Sequence, residues 1–196
     1  MKRFPKTIGI TGGIGSGKSF ICHILRIIGY PVFYADKAAK EVYFDPIVKE
    51  KVIELLGPEA YSSDCEINRE FISRQVFNNA TLLSQLNAII HPEVRNTWKN
   101  WVTKQDSELV FQEAAILFET GGYKNFDFTI LVTADESTRI ERVVRRDQIS
   151  KDAVIARMEK QWPDNEKKKL CDFIIVNNDR DMLLPQINAI LNELLK

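Results

Sequence analysis

Cysteine is scarce in this chain: three residues, Cys22, Cys65 and Cys171, among 196. Their number is odd, they lie far apart and none belongs to a C-x-x-C pair. That excludes a disulfide framework or a zinc ribbon and fits free buried thiols in a reducing compartment, the cytoplasm. An excess of charge of either sign is also lacking, with 27 basic side chains against 27 acidic ones. A general nucleic-acid binder is thereby excluded, because affinity for a polyanion rests mainly on neutralising phosphates with a basic surplus. No apolar run approaches the roughly 20 residues that span a bilayer. The basic start, Met1 to Lys6, runs into a stretch soon interrupted by glycines, so a secretory signal is not expected. Neither a membrane nor an obligatory protein partner is called for, and repeats and low-complexity tracts are missing. The sequon Asn79-Ala80-Thr81 is without meaning in a cytosolic chain. What is present is 44% hydrophobic residues, over a length that suits one domain or one domain with an insertion. Such a chain buries roughly 70% of its unfolded surface.

Lys6 to Thr11 reads as a short apolar strand. The glycines after it give way to Ile21, Ile24, Leu25 and Ile28 at helical spacing, stopped by Gly29 with Pro31 just beyond. A second buried strand is expected over Pro31 to Ala35. From about Asp36 to Gln105 the pattern is helical, broken at Pro46, at Gly57-Pro58 and at Ser62-Ser63-Asp64. In its longest piece Leu82, Leu83, Leu86, Ile89, Ile90, Val94, Trp98 and Trp101 recur every three or four positions, as a core face does. Strands return at Glu108 to Ala114, Phe128 to Thr133 and Asp172 to Val176, with helices between them. Thr133-Ala134-Asp135-Glu136 offers a capping box, and an amphipathic stretch from Met182 to Leu195 closes the chain. Strands alternating with helices predict an α/β fold, a parallel five-stranded sheet covered on both faces, with the helical block inserted between its second and third strands.

Gly12-Gly13-Ile14-Gly15-Ser16-Gly17-Lys18-Ser19 satisfies G-x-x-x-x-G-K-[ST] in full, and it lies where such a loop belongs, between a strand and a helix. Glycine lets the backbone come close to phosphate oxygens with its amides converging, here at Gly13, Gly15, Ser16 and Gly17. The helix that follows turns its positive end to the same place. Lys18 supplies a point charge to the β- and γ-phosphates, and the Ser19 hydroxyl completes the shell of a magnesium ion. A nucleoside triphosphate with Mg2+ is expected at this loop.

The loop alone does not separate a kinase from a switch or a motor. Thr103-Lys104-Gln105-Asp106 imitates a guanine-reading T-K-x-D, but it ends a helical segment and no D-x-x-G precedes it, so it reads as a solvated helix end. Asp36 stands just past the second strand, at the sheet edge where ligands bind. Two roles are open to it: general base for an attacking hydroxyl, or N-cap of the helix that follows. Glu113 ends the third strand, where a carboxylate either holds magnesium through water or is satisfied by nearby backbone. Arg139, Arg142 and Arg146 share a helical face with Arg145 beside them. They suit the charge that spreads over a transferring phosphoryl group, and as a lid leading into residues 147–151 they would exclude water. The alternative is a solvated face paired with Glu141 and Asp147. His91-Pro92 interrupts the long helix, and His91 is either a substrate contact at that bend or structural.

Taken together, Ile8 to Ser19, Ala35-Asp36, Ile90-His91-Pro92, Ile116-Leu117-Phe118-Glu119, Arg142 with Arg146-Asp147, and Asn177 resemble the dephospho-coenzyme A kinase family in order along essentially the whole chain. The resemblance implies ATP-dependent phosphorylation of the ribose 3′-hydroxyl of dephospho-coenzyme A. It also implies three parts: a nucleotide-binding core (1–35 and 106–196), a helical substrate domain (36–105) and a lid at about 140–165. On matching positions it implies Asp36 as the base, Lys18 with Arg142 and Arg146 gripping phosphates, a backbone amide of Phe20 at the phosphates and Asn177 near the adenine. Arg157 and Gln161 continue the lid pattern, and Asn68-Arg69 resembles a substrate-domain pair in which Arg69 contacts substrate. Tyr34, Phe20, Ala115, Val176 and Asp179 depart from the family's usual residues, none of them at Lys18, Ser19, Asp36 or the lid arginines. Two other readings compete: a kinase of another nucleotide-like small molecule, and a nucleotide-dependent switch.

Overall fold

The computed structural model describes residues 4–63, 66–77 and 79–196; the expected free thiol of Cys65 lies outside them. The elements in chain order are β1 (Lys6–Thr11), α1 (Lys18–Ile27), β2 (Val32–Tyr34), α2 (Ala35–Val42), α3 (Pro46–Leu56), β3 (Tyr61–Ser63), β4 (Glu66–Ile67), α4 (Arg69–Phe77) and α5 (Ala80–Val102). They continue with β5 (Leu109–Glu113), β6 (Phe128–Thr133), α6 (Glu136–Asp147), α7 (Lys151–Met158), α8 (Asp164–Lys168), β7 (Phe173–Val176) and α9 (Leu183–Leu194). Two compact units result, one formed by residues 1–34 and 105–196, the other by 35–104.

The first unit is an α/β fold on a five-stranded parallel sheet in the order β2-β5-β1-β6-β7. β1 lies at its centre, so Ile8 and Ile10 are wholly buried, and its neighbours β5 and β6 are nearly continuous apolar runs. Such runs are what a sheet covered on both faces requires. α1 contributes Ile21, Cys22 and Leu25 to the main core, and α9 contributes Ile187, Ile190, Leu191 and Leu194, the i, i+3, i+4, i+7 stripe of an amphipathic helix. α1 ends in a Schellman turn, with the Gly29 N–H donating to the Arg26 carbonyl and the Tyr30 N–H to that of Leu25. Register sets Ile10 and Tyr34 both opposite Glu113, and Thr11 opposite Leu131, so the carboxyl ends of four strands share one edge. From β1 the chain crosses first to one side of the sheet and later to the other. The loop after β1 therefore opens at the switch point where open parallel sheets bind ligands.

The second unit packs α2 to α5 around Val42, Val48, Val52, Ala60, Ile72, Leu86 and Ile90. Asp45 caps α3 through the Ile47 and Val48 N–H groups, with Pro46 at its first position. Two local expectations fail here. The region is not purely helical, since β3 and β4 pair antiparallel where the sequence offers only a few extended residues. Nor does Pro92 interrupt a helix, because α5 runs through it for 23 residues. A third fails in the first unit. The capping box before α6 does not form, since Asp135 is the cap residue and the Thr133 hydroxyl donates to Asp164 Oδ2 instead. Among the described residues no helix is long and apolar enough to cross a membrane.

Candidate active site

Between β1 and α1 the chain turns through residues 12–17. Gly17 takes the left-handed conformation (φ 90°, ψ 21°) at the start of α1, and the Phe20 and Ile21 N–H groups donate back to its carbonyl at 3.0 and 3.2 Å. The Phe20 amide is thus engaged in the first helical turn. Lys18 Nζ folds over the loop and donates to the carbonyls of Gly12 (2.8 Å) and Gly13 (3.4 Å). Ser19 is exposed on the first turn of α1, whereas Glu113 is buried at the end of β5. Burial, reinforced by the Glu113 carboxylate and opposed by Lys18, pushes the Cys22 thiol up to about 12. Cys22 is therefore an inert core residue, and Glu113 and Lys18 share one electrostatic neighbourhood. A hydroxyl and a carboxylate are the hard oxygen donors magnesium prefers, and that ion normally takes only one or two protein ligands beside water and phosphate. The donor set fits it; among the described residues no cluster of three metal-ligating side chains occurs.

The arginines of α6 divide. Arg139 is 8% exposed, and its Nε donates to the Ile14 carbonyl at 3.0 Å. Arg142 Nη2 donates to Asp179 Oδ1 at 2.8 Å, and its Nη1 reaches the Gly15 carbonyl at 3.5 Å. Arg145 is exposed. Arg146 forks onto Asp147 through Nε (2.7 Å) and Nη2 (3.1 Å), and Arg157 Nη1 donates to the same carboxylate at 3.0 Å. The Arg146 hydrogen bond, more than any other influence, holds the Asp147 carboxyl below the usual carboxylate range.

One hollow opens at the loop and another beside the start of α6, and charge decides between them. One, of about 360 Å³, is lined by Gly15, Lys18, Ser19, Arg142 and Arg146, with no carboxylate among its described lining residues. The other, of about 740 Å³, is larger but sets Asp135, Glu136, Glu159 and Asp164 against only Arg139 and Lys168. A polyphosphate belongs in the first. Asn177 is 7% exposed, and its Nδ2 donates to the Ser16 carbonyl at 2.8 Å, so its amide lies under the loop.

Two largely buried ion pairs escape sequence reasoning. Lys167, wholly buried, contacts Glu119 at 2.8 Å, and the same Glu119 oxygen accepts the Trp162 N–H. Asp164 pairs with Arg139 at 3.4 Å. Both join elements distant in sequence, and the only available signal was the family's Phe118-Glu119.

In the second unit Asp36 is exposed in the first turn of α2, which begins at Ala35. It is therefore not the N-cap, and its charge complements the helix dipole from inside. Arg69 opens α4 and is close enough to Tyr43 to oppose the upward push of burial on that phenol. His91 is half-buried on α5, and burial, then the charge of Arg95, holds its pKa below the ordinary histidine value.

A parallel sheet with a complete phosphate loop at its switch point, facing a hollow whose charged described lining residues are all cations, defines a phosphate-loop nucleotide-binding protein. Residues 6–182 match the family described as dephospho-CoA kinase. A dephospho-CoA kinase of Bacteroides fragilis is 37% identical over 182 residues, 92% of this chain and 88% of the relative. The chain belongs to the dephospho-CoA kinase family, as the order of its motifs implies. The crystal structure of TT1252 from Thermus thermophilus is similar with a TM-score of 0.88 at 33% identity, covering 97% of this chain and 98% of that one. A dephospho-CoA kinase from Campylobacter jejuni shares the fold, with a TM-score of 0.69 at 24% identity over 95% and 96% of the two chains.

Proposed function

We propose that this protein transfers the γ-phosphoryl group of ATP to the ribose 3′-hydroxyl of dephospho-coenzyme A, giving coenzyme A and ADP in the cytoplasm. The observation that carries this reading is the phosphate loop at the positive end of α1 beside Lys18, Arg142 and Arg146, in a chain of this family. Phosphoryl transfer asks little covalent chemistry of the protein, so positioning and charge do the work. Loop amides and Lys18 hold the β- and γ-phosphates. Arg142 and Arg146, carried by the lid at about 140–165, exchange their carboxylate partners for phosphate oxygens and close the site to water. Asp36, in a substrate domain formed by the second unit, accepts the proton of the attacking hydroxyl, with Arg69 and His91 as substrate contacts. Mg2+ would be held by the Ser19 hydroxyl and, through water, by Glu113; when bound it neutralises charge on the phosphate oxygens. The free thiols of Cys22 and Cys171 support a reducing compartment.

The test is to incubate the purified protein with ATP, Mg2+ and a panel of acceptors, dephospho-coenzyme A, AMP and adenosine among them, and to identify products by mass. Coenzyme A formed in step with ADP is expected. Phosphorylation of a different acceptor, with dephospho-coenzyme A untouched, would overturn the reading.

A further inference from the structure

Beneath the phosphate loop three side chains from distant parts of the first unit bind its backbone. Arg139 Nε, on α6, donates to the Ile14 carbonyl at 3.0 Å. Gln161 Oε1, between α7 and α8, accepts the Ile14 N–H at 2.8 Å. Asn177 Nδ2, at the end of β7, donates to the Ser16 carbonyl at 2.8 Å. The Ile14 side chain is fixed as well, against Ile140, Val143 and Val154. Arg139 is itself anchored by Asp164, which also accepts the Thr133 hydroxyl.

The glycines register this floor. A Cβ at Gly13 would lie 2.0 Å from Arg139 Nη2, and its three nearest neighbours would all be atoms of that guanidinium. One at Gly17 would lie 2.0 Å from Asn177 Nδ2. Gly13, moreover, does not have the left-handed backbone that would demand glycine by itself, unlike Gly15 and Gly17. Its missing side chain makes room for an arginine below the loop.

We infer that Arg139, Gln161 and Asn177 are positioning residues, which hold the loop amides in their phosphate-binding arrangement before nucleotide arrives, and that residue 13 is glycine because Arg139 occupies the space beneath it. The inference deepens the kinase reading and rests on it for the reaction served. Amides already oriented need no reorganisation when charge reaches them, which is how fixed dipoles stabilise phosphate most effectively. Asn177 then acts on the loop through Ser16.

The test is a double-mutant cycle with ADP affinity, measured by calorimetry, as its readout. Gly13→Ala is expected to weaken ADP by about tenfold or more, as is Arg139→Met, each disturbing the bond to Ile14. In the Arg139→Met background Gly13→Ala should cause no further loss, because the obstructing guanidinium is gone. An equal loss in both backgrounds would overturn the assignment and return Gly13 to phosphate approach. Arg139→Lys, which keeps a donor and a charge for Asp164, should restore part of the affinity. Should Arg139→Met fail to fold, Gln161→Met decides. It removes the acceptor for the Ile14 N–H and should weaken ADP about tenfold at an unchanged thermal midpoint; wild-type affinity there sinks the proposal. ADP binding needs no acceptor, so this result and the product analysis fail independently.

Discussion

Arg139 and Arg146 lie two turns apart on one helix and have opposite attachments. Arg139 is buried and bound to a backbone carbonyl and a half-buried carboxylate; Arg146 is at the surface, bound to a carboxylate that Arg157 shares. A guanidinium with buried partners cannot leave them without stranding a charge, so it fixes geometry. One that is itself exposed can exchange its carboxylate for phosphate at little loss, which suits the phosphate contact proposed for Arg146. On the proposed function the contrast extends through the molecule: groups locked into the interior would set stability, and groups on exchangeable partners would set rate.

The largest effect expected from the locked set is at Lys167. Lys167→Met strands the Glu119 carboxylate in the interior and should lower unfolding free energy by about 3–5 kcal/mol in urea titration. A loss below about 1 kcal/mol would show that the pair is not locked. Among the exchangeable set, Lys18→Ala should reduce kcat/KM for ATP on the order of 100- to 1,000-fold with the urea midpoint unmoved. Asp36→Asn should lower turnover on the order of 100-fold while ATP affinity stays nearly intact, as loss of a general base requires. Near-normal turnover would leave Asp36 only its place in the helix. Arg146→Ala should reduce kcat by about tenfold, again without loss of stability; a large stability change would erase its contrast with Arg139. The smallest effect belongs to half-buried His91. Its folded pKa lies below the ordinary 6.5, so the unfolded chain takes up the proton first. Stability is therefore full above that value and falls as the pH drops through the folded one. His91→Gln should flatten the stability profile as the pH falls below the ordinary histidine value, and an unaltered slope would count against the assignment.

What the sequence reveals of this molecule is what neighbouring residues decide. The phosphate loop is legible because strand, glycines, Lys18 and Ser19 are contiguous, and the sheet because its strands are short apolar runs between helical periods. Long-range partners are not. Arg139 shares spacing and face with Arg142 and Arg146, and only the docking of α6 onto Ile14, far earlier in the chain, separates their roles. Thr133 satisfies a local capping pattern, yet the nearby Asp164 wins its hydroxyl. The β3–β4 pair is too short to announce itself, and Pro92 is tolerated inside a helix whose buried face continues on both sides of it.

The central place of β1 has a temporal consequence. Its hydrogen-bonded neighbours, β5 and β6, start at residues 109 and 128, and the amide that steadies Ser16 arrives with residue 177. On the ribosome the glycine-rich segment emerges before β5, β6 and residue 177 and waits for them without a finished cradle. ATP accordingly gives the nascent chain little help in folding until residue 177 has emerged, because the nucleotide stabilises only the chain that binds it.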